Sequence, residues 1–248
     1  MNMAAQLSRA WAVCKKDIQV YYFKGPVIVY GPVLPGFLFL AFYVGRHLTV
    51  GFLIPGLIAM TTFFTATSVG PLITPWETRM KVLERLVAAP ISMFAILLGD
   101  ATASLIFGLV ITLVPLFIGI GLGVPVQHAF ILALGIIIAG VCFAYIGLLF
   151  SAPPADIPGN VMMLSALVKF PLIFISGIFI PLQTLPHWGR VLALVSPLTY
   201  FTDLLRYCMG SGHYLLVTVD LLALVGFATV TALAAVAYHS HSLPRRFM

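Results

Sequence analysis

Apolar residues run almost unbroken through six stretches of this chain, and polar residues collect between them. The stretches are about 27–45, 50–73, 94–121, 129–150, 161–180 and 215–238. An α-helix needs about 20 apolar residues to cross a hydrocarbon layer about 30 Å thick. The pattern therefore predicts six membrane-spanning helices. Pro32, Pro35 and Pro55 fall inside spans, where neighbouring helices can re-satisfy the backbone. Ahead of the spans, residues 4–24 follow a different rhythm. Leu7, Trp11, Cys14, Ile18 and Tyr21/Tyr22 recur at helical spacing as one narrow stripe, with Arg9 and Lys16 opposite. This predicts an amphipathic helix lying in the interface plane, its Trp and Tyr at headgroup level. It is not expected to be a signal peptide. The basic stretch is long, and the apolar run after it outlasts a signal core.

Two segments depart from plain spanning helix. In 74–93, TPWETRMKVLERLVAAPISM, Thr74 suits an N-cap, Pro75 the first helical position and Glu77 the third, which makes a capping box. Glu77 and Lys81 are spaced for an ion pair one turn apart. Trp76, Met80, Leu83 and Val87 line one side, and Pro90 closes the helix. The expected product is a short capped helix over 74–89, between spans two and three. The second segment, 181–212, is apolar but broken by Pro186 and Pro197, so no run in it is long enough to span. Residues 198–209 look helical after the turn at Ser196-Pro197. This predicts a re-entrant or interfacial helical hairpin.

Composition sharpens the picture. Of the 248 residues 61% are hydrophobic and 8% charged, against roughly 25% charged in a soluble domain. A soluble globular chain and a disordered one are both excluded. The expected fold is an all-α polytopic membrane protein, a single transmembrane domain over 1–248 with no room for a soluble catalytic domain. The net charge of +6 reads first as topology and not as nucleic-acid binding. With the N-terminus inside, nine cations lie inside: Arg9, Lys15, Lys16, Lys24, Arg79, Lys81, Arg85, Arg245 and Arg246. Three lie outside, Arg46, Arg190 and Arg206, and Lys169 falls within span five. Both termini are therefore expected in the cytoplasm, the 74–89 helix on the cytoplasmic side and the hairpin on the outer face. The 151–160 loop, SAPPADIPGN, carries no Lys or Arg. Cys14, Cys142 and Cys208 are too scattered for a disulfide framework or metal site. Cys14 is expected inside, Cys142 buried in span four, and Cys208 outside, where an impermeant maleimide should label it if the outer hairpin leaves it accessible. Ser104/Gly108 and Gly119/Gly123 permit close helix packing.

At these two segments the chain resembles the ABC-2 permeases, the membrane subunits of type-2 ATP-binding-cassette exporters, nearest to the drug, daunorubicin-type and nodulation-factor export permeases. The first pattern is Glu77, Leu83-Glu84, Pro90-Ile91-Ser92 and Gly99. The second is Pro171, Ser176-Gly177, Pro181, Leu185-Pro186 with Trp188, Pro197-Leu198-Thr199-Tyr200, Asp203 and Arg206. Met80-Lys81 stands where the family has Gly-Thr, and Lys169 is an unusual mid-span charge.

The resemblance implies a plasma-membrane exporter subunit, paired as a homodimer or with a related permease, and driven by two copies of a separate ATPase subunit. The chain has no GxxxxGK[ST] phosphate loop, so ATP and Mg belong on that partner and no cofactor is expected here. The 74–89 helix would be the coupling helix, with Thr74, Trp76, Glu77, Arg79, Met80, Glu84 and Arg85 as candidate coupling residues. Ser176, Gly177, Pro181, Pro197, Tyr200, Asp203 and Arg206 would shape the outer hairpin. The spans, rich in Phe, Leu, Ile and Ala, suit a hydrophobic or amphipathic cargo, drug or lipid-like; a lipid-linked glycan is the alternative within the same fold. Lys169 should meet Asp220, Asp100, a backbone carbonyl, water or an anionic cargo group on the path between two copies. An intramembrane enzyme is the weaker reading. Ser176 lacks a nucleophile's setting, His187, His213, His239 and His241 fall outside the spans, and there is no HExxH. An uncoupled channel is weaker too.

Overall fold

A segment inside a bilayer must satisfy its own backbone, and helices are the local way to do so. The computed structural model describes residues 3–22, 24–46, 49–153 and 158–242, and the described elements are all helical. They are α1 (Met3–Val20), α2 (Gly25–Ile28), α3 (Leu34–Arg46), α4 (Val50–Ala66), α5 (Gly70–Arg79), α6 (Val82–Ala88), α7 (Met93–Gly121), α8 (Ala129–Phe150), α9 (Pro158–Ile175), α10 (His187–Leu194), α11 (Pro197–Cys208) and α12 (Val217–Ser242). Arg245 and Arg246, the side chain of Arg46 and positions 154–157 of the SAPPADIPGN loop lie outside the described residues.

Five segments are long and apolar enough to cross a membrane: Val50–Arg79, Met93–Gly121, Ala129–Phe150, Pro158–Ile175 and Val217–Ser242. A shorter apolar helix, Gly31–Ala41, adds to them. Together they make a polytopic protein of about six spans. The first expected span is shortened by a π-helical turn at Val29–Val33, which contains Pro32 and closes with Leu34 N–H on Val29 O. A proline ring inside a helix clashes with the preceding turn, and a wider turn makes room for it.

The core joins α4, α8, α9 and α11. Phe63 meets Phe143 edge-on at 5.0 Å, and Phe143 meets Phe201 at 5.7 Å. Glycines set a close crossing. A Cβ on Gly70 would lie 2.6 Å from the Gly147 carbonyl carbon, so α5 and α8 touch backbone to backbone.

The bundle has two distinct ends. At one, Gln127 N–H donates to Cys208 O at 2.8 Å and the Ser211 hydroxyl to Gly51 O at 2.6 Å, gathering the start of α4, the α7–α8 loop and the end of α11. At the other lie α1, α5, α6, the end of α8 and the last turns of α12. There Thr74 Oγ1 meets Ser151 Oγ at 3.1 Å, and Ser151 Oγ meets His239 at 3.4 Å. The N-terminal helix and the last turns of α12 thus share an end. His239, which the hydropathy pattern puts beyond the sixth span, is buried within α12.

Candidate coupling site

The expected helix over 74–89 is two helices meeting at an elbow. Helix α5 begins at Gly70 with Pro71 in its first turn, so Thr74 is not an N-cap but a buried residue in mid-helix. The capping box is therefore not formed; the earlier Gly70-Pro71 pair starts the helix instead. Helix α5 ends at Arg79, Lys81 takes a left-handed backbone with φ +54°, and α6 restarts at Val82. Leu83, 1% exposed, anchors α6 in the protein. Arg79, Lys81, Glu84 and Arg85 are exposed around the elbow, and Met80 is 66% exposed at its tip.

Glu77 faces inward. It is 1% exposed and pairs with Lys16 of α1, not with Lys81. Lys16 also reaches Asp17 at 3.0 Å. Helix α5 closes against the N-terminal segment further, since Trp76 stacks on Tyr21 at 5.6 Å with the planes 20° apart. Glu77 is thus no docking charge, and Trp76 is half-buried rather than a free knob.

Helix α1 is braced from its other side by α7. A Cβ on Gly99 would lie 2.6 Å from Ala10 O, so only glycine lets the two backbones meet. This close approach turns α1 from its expected pose. The buried face is Gln6, Ala10, Val13, Cys14 and Asp17, with Tyr21 and Tyr22 just beyond, while Leu7 and Trp11 of the expected stripe are exposed. Gln6 accepts from Ser92 N–H at 3.0 Å, and Arg9 donates to Pro90 O, tying α1 to the segment after α6. Asp17 and Asp100 of α7 are both buried carboxyls where α1 packs on α7. Burial raises the Asp17 carboxyl above the usual carboxylate range, against the opposing pull of Asp100's hydrogen bond and Lys16's charge. Burial alone would lower the Lys16 ammonium, but the charges of Glu77 and Asp17 outweigh it and hold its proton more tightly. The apolar stripe read from the sequence missed Asp17 because the buried face of α1 is the one that carries Gln6 and Asp17, not the one that carries Leu7 and Trp11.

The exposed rim of this end is basic. Lys15, Lys24, Arg79, Lys81 and Arg85 all reach solvent there, against Glu84. A cavity of about 460 Å³ between Tyr21, Lys24, Trp76, Arg79 and Met80 opens on it.

At the opposite end the hairpin residues act as staples. Helix α10 is a surface helix with Trp188 and Val191 exposed, whereas α11 is buried among its neighbours. Gly177, at φ +81°, ends α9 in the left-handed conformation glycine favours. Its carbonyl accepts from the Arg206 guanidinium at 2.6 Å, and that guanidinium lies 4.1 Å from the Phe52 ring centroid. The Asp203 carboxylate accepts Tyr214 N–H at 2.9 Å and Leu215 N–H at 2.7 Å. Tyr200 OH donates to Leu194 O at 2.8 Å. Pro197 opens α11, Pro181 precedes a single 3-10 turn at Leu182–Thr184, and the Ser176 hydroxyl returns to Ile173 O. Arg206 and Cys208 are buried in α11, so the hairpin does not leave the Cys208 thiol accessible to a maleimide; Cys14 and Cys142 are buried too. Lys169 meets neither Asp220 nor Asp100; its Nζ donates to Thr67 O at 2.8 Å.

These features can be set beside known proteins. The family model described as ABC-2 type transporter matches residues 8–209. The protein named "Probable multidrug ABC transporter permease YbhR" of Escherichia coli K12 is 29% identical over 163 residues, covering 62% of this chain and 42% of its own length. A transport permease named ycf38 from Porphyra purpurea is 31% identical over 172 residues, covering 66% of this chain and 57% of its own. The chain spans about half the length of these curated relatives. The matched region takes in both the α5–α6 elbow and the α10–α11 staples, and with it the chain belongs to the ABC-2 type transporter family.

Proposed function

We propose that this chain is the membrane subunit of an ATP-driven exporter in the plasma membrane. Two copies, or one copy with a related permease, would carry a hydrophobic or amphipathic substrate outward. The energy would come from two ATPase subunits, which hold the ATP and Mg. The family supports a transporter subunit over an enzyme, and the name of the Escherichia coli relative supports a drug-like cargo.

The observation that carries the reading is the mechanical continuity of the elbow. An exposed tip at Met80, ringed by Arg79, Lys81, Glu84 and Arg85, is joined to α1 through Lys16–Glu77 and Tyr21–Trp76. Helix α1 is in turn locked backbone to backbone on α7 at Gly99. A partner pushing on the tip would move α5, α1 and α7 as one body. The basic rim suits a partner with an acidic docking surface, with both chain termini on the cytoplasmic side. The test is co-purification of the chain with its ATPase, and ATP hydrolysis by the pair in nanodiscs. Retention of the ATPase by wild type and its loss on Leu83→Pro would support the reading; transport undiminished by Leu83→Pro would overturn it.

A further inference from the structure

Lys169 sits past the middle of α9, buried to 6% exposure, where a cation is expensive unless something answers its charge. Its one hydrogen bond among the described residues is to Thr67 O at 2.8 Å. That carbonyl is open because α4 ends at Ala66 and α5 starts only at Gly70, which leaves Thr67 O without a helical partner. A neutral acceptor uses one of the ammonium's three protons. Both ion pairs among the described residues belong to Lys16, so no carboxylate answers Lys169.

The same lysine lines a cavity of about 340 Å³ between α9 and α4, with Phe64, Ser68, Met162, Ser165, Ala166 and Phe170. Ligand pockets run from about 300 to 1,000 Å³. Among the described residues no acidic side chain lines the space. The Ser68 and Ser165 hydroxyls already donate to Thr65 O at 2.8 Å and Met162 O at 3.0 Å. The ammonium is therefore the donor left for an anion, and the remaining walls suit hydrocarbon. A neutral polyol finds few donors here, and a cation is repelled.

We propose that this cavity holds the anionic head of an amphiphile against Lys169, making the exported cargo an acidic amphiphile. The inference deepens the transporter reading and rests on it for the word cargo; the site itself needs no ATPase.

The test uses the full chain in phosphatidylcholine nanodiscs and two photoactivatable probes, a diazirine palmitate and the matching neutral diazirine hexadecanol. Crosslinks over residues 159–170 are read by mass spectrometry. Palmitate should label this segment, excess palmitate should compete, and hexadecanol should do neither. Lys169→Met should cut labelling about tenfold or more, the loss of one charge-assisted hydrogen bond, and Lys169→Arg should retain most of it. Ala166→Phe fills the space and leaves Lys169 in place, so it should also abolish labelling; it decides the matter if Lys169→Met does not assemble. Equal labelling by the neutral probe, or labelling that survives Lys169→Met or Ala166→Phe, overturns the proposal. Nanodiscs containing phosphatidylglycerol separate the sources: competition by that lipid marks a bilayer lipid as occupant, and its absence marks a free acid. Failure here beside intact ATPase co-purification removes only this inference; the reverse result removes the exporter reading and with it the word cargo, and leaves the binding site standing.

Discussion

Open backbone carbonyls decide where this molecule needs help from afar. Pro55 has no N–H for Gly51 O, and the Ser211 hydroxyl fills that acceptor from 160 residues away. Thr67 O, left open beyond the end of α4, goes to Lys169, 102 residues away. The sequence displays Pro55, and the carbonyl it frees follows by counting back four residues. Its partner does not follow, because nothing local marks which distant donor will arrive. Ser211→Ala should therefore cost about 0.5–1.5 kcal/mol, the net worth of one part-buried hydrogen bond, measured by unfolding in mixed micelles. A loss near zero would show that water reaches Gly51 O. Glycines give a paired prediction at the same scale. Gly70→Ala places a methyl 2.6 Å from a backbone carbon that cannot swing away, and should destabilise by about 1–3 kcal/mol. Gly226→Ala meets nothing within 4 Å and should be neutral or slightly stabilising through helix propensity. Equal effects of the two in the same assay would count against the tight α5–α8 crossing.

Elements were harder to read than spans. Long apolar runs announce themselves, because a bilayer demands about 20 such residues whatever packs around them. The elbow had two competing starts in sequence, Gly70-Pro71 and Thr74-Pro75. The second offered the better cap chemistry, yet tertiary packing chose the first: Gly70 and Gly147 must meet for α5 to lie on α8. With the start moved, Glu77 points into the protein and finds Lys16, 61 residues away, instead of its helical neighbour Lys81. Lys81 is freed to make the turn itself. A non-glycine residue in the left-handed region costs roughly 1–2 kcal/mol, so Lys81→Gly should preserve or tighten the elbow. Lys81→Val, whose branched Cβ resists that conformation, should loosen it and weaken ATPase retention in pull-downs. Pull-downs in which valine matches glycine would discount the left-handed turn.

The α1 face carries a pH dependence with a definite sign. Undocked, Asp17 titrates near the usual aspartate value of about 4; docked, burial raises it. The docked state therefore holds the proton more tightly, and docking of α1 weakens as pH rises above about 4, through the raised value. Asp17→Asn, which copies the protonated shape, should flatten that dependence. Comparing amide hydrogen exchange of α1 in wild type and variant at each pH cancels the intrinsic exchange rate. Wild-type protection that does not fall relative to the variant as pH rises above about 4 would contradict the burial of the Asp17 carboxyl against α7.

At the scale of the whole molecule, orientation is the property that composition speaks to and packing does not. The bundle sets the elbow and the α10–α11 staples at opposite ends, whichever way the chain sits in the membrane. Which end faces the cytoplasm rests on cations near the spans. The described rim at the elbow end holds Lys15, Lys24, Arg79, Lys81 and Arg85 exposed, whereas at the far end Arg206 is buried against Gly177 O and Arg190 donates to Leu185 O. Among the described residues the bias in free cations is therefore steeper than the bare count of arginines and lysines suggests. The three native thiols are all buried, so an introduced cysteine reports against a quiet background. Gln183→Cys, on the exposed turn before α10, should react with an impermeant maleimide on intact cells. Arg85→Cys, exposed on α6, should react only after the membrane is opened. The reverse pattern would invert the orientation and move the proposed ATPase docking surface to the wrong side. Reaction of both on intact cells would mean that the two ends do not lie across a membrane from each other, and the long helices would then need a different solvent from the one their composition demands.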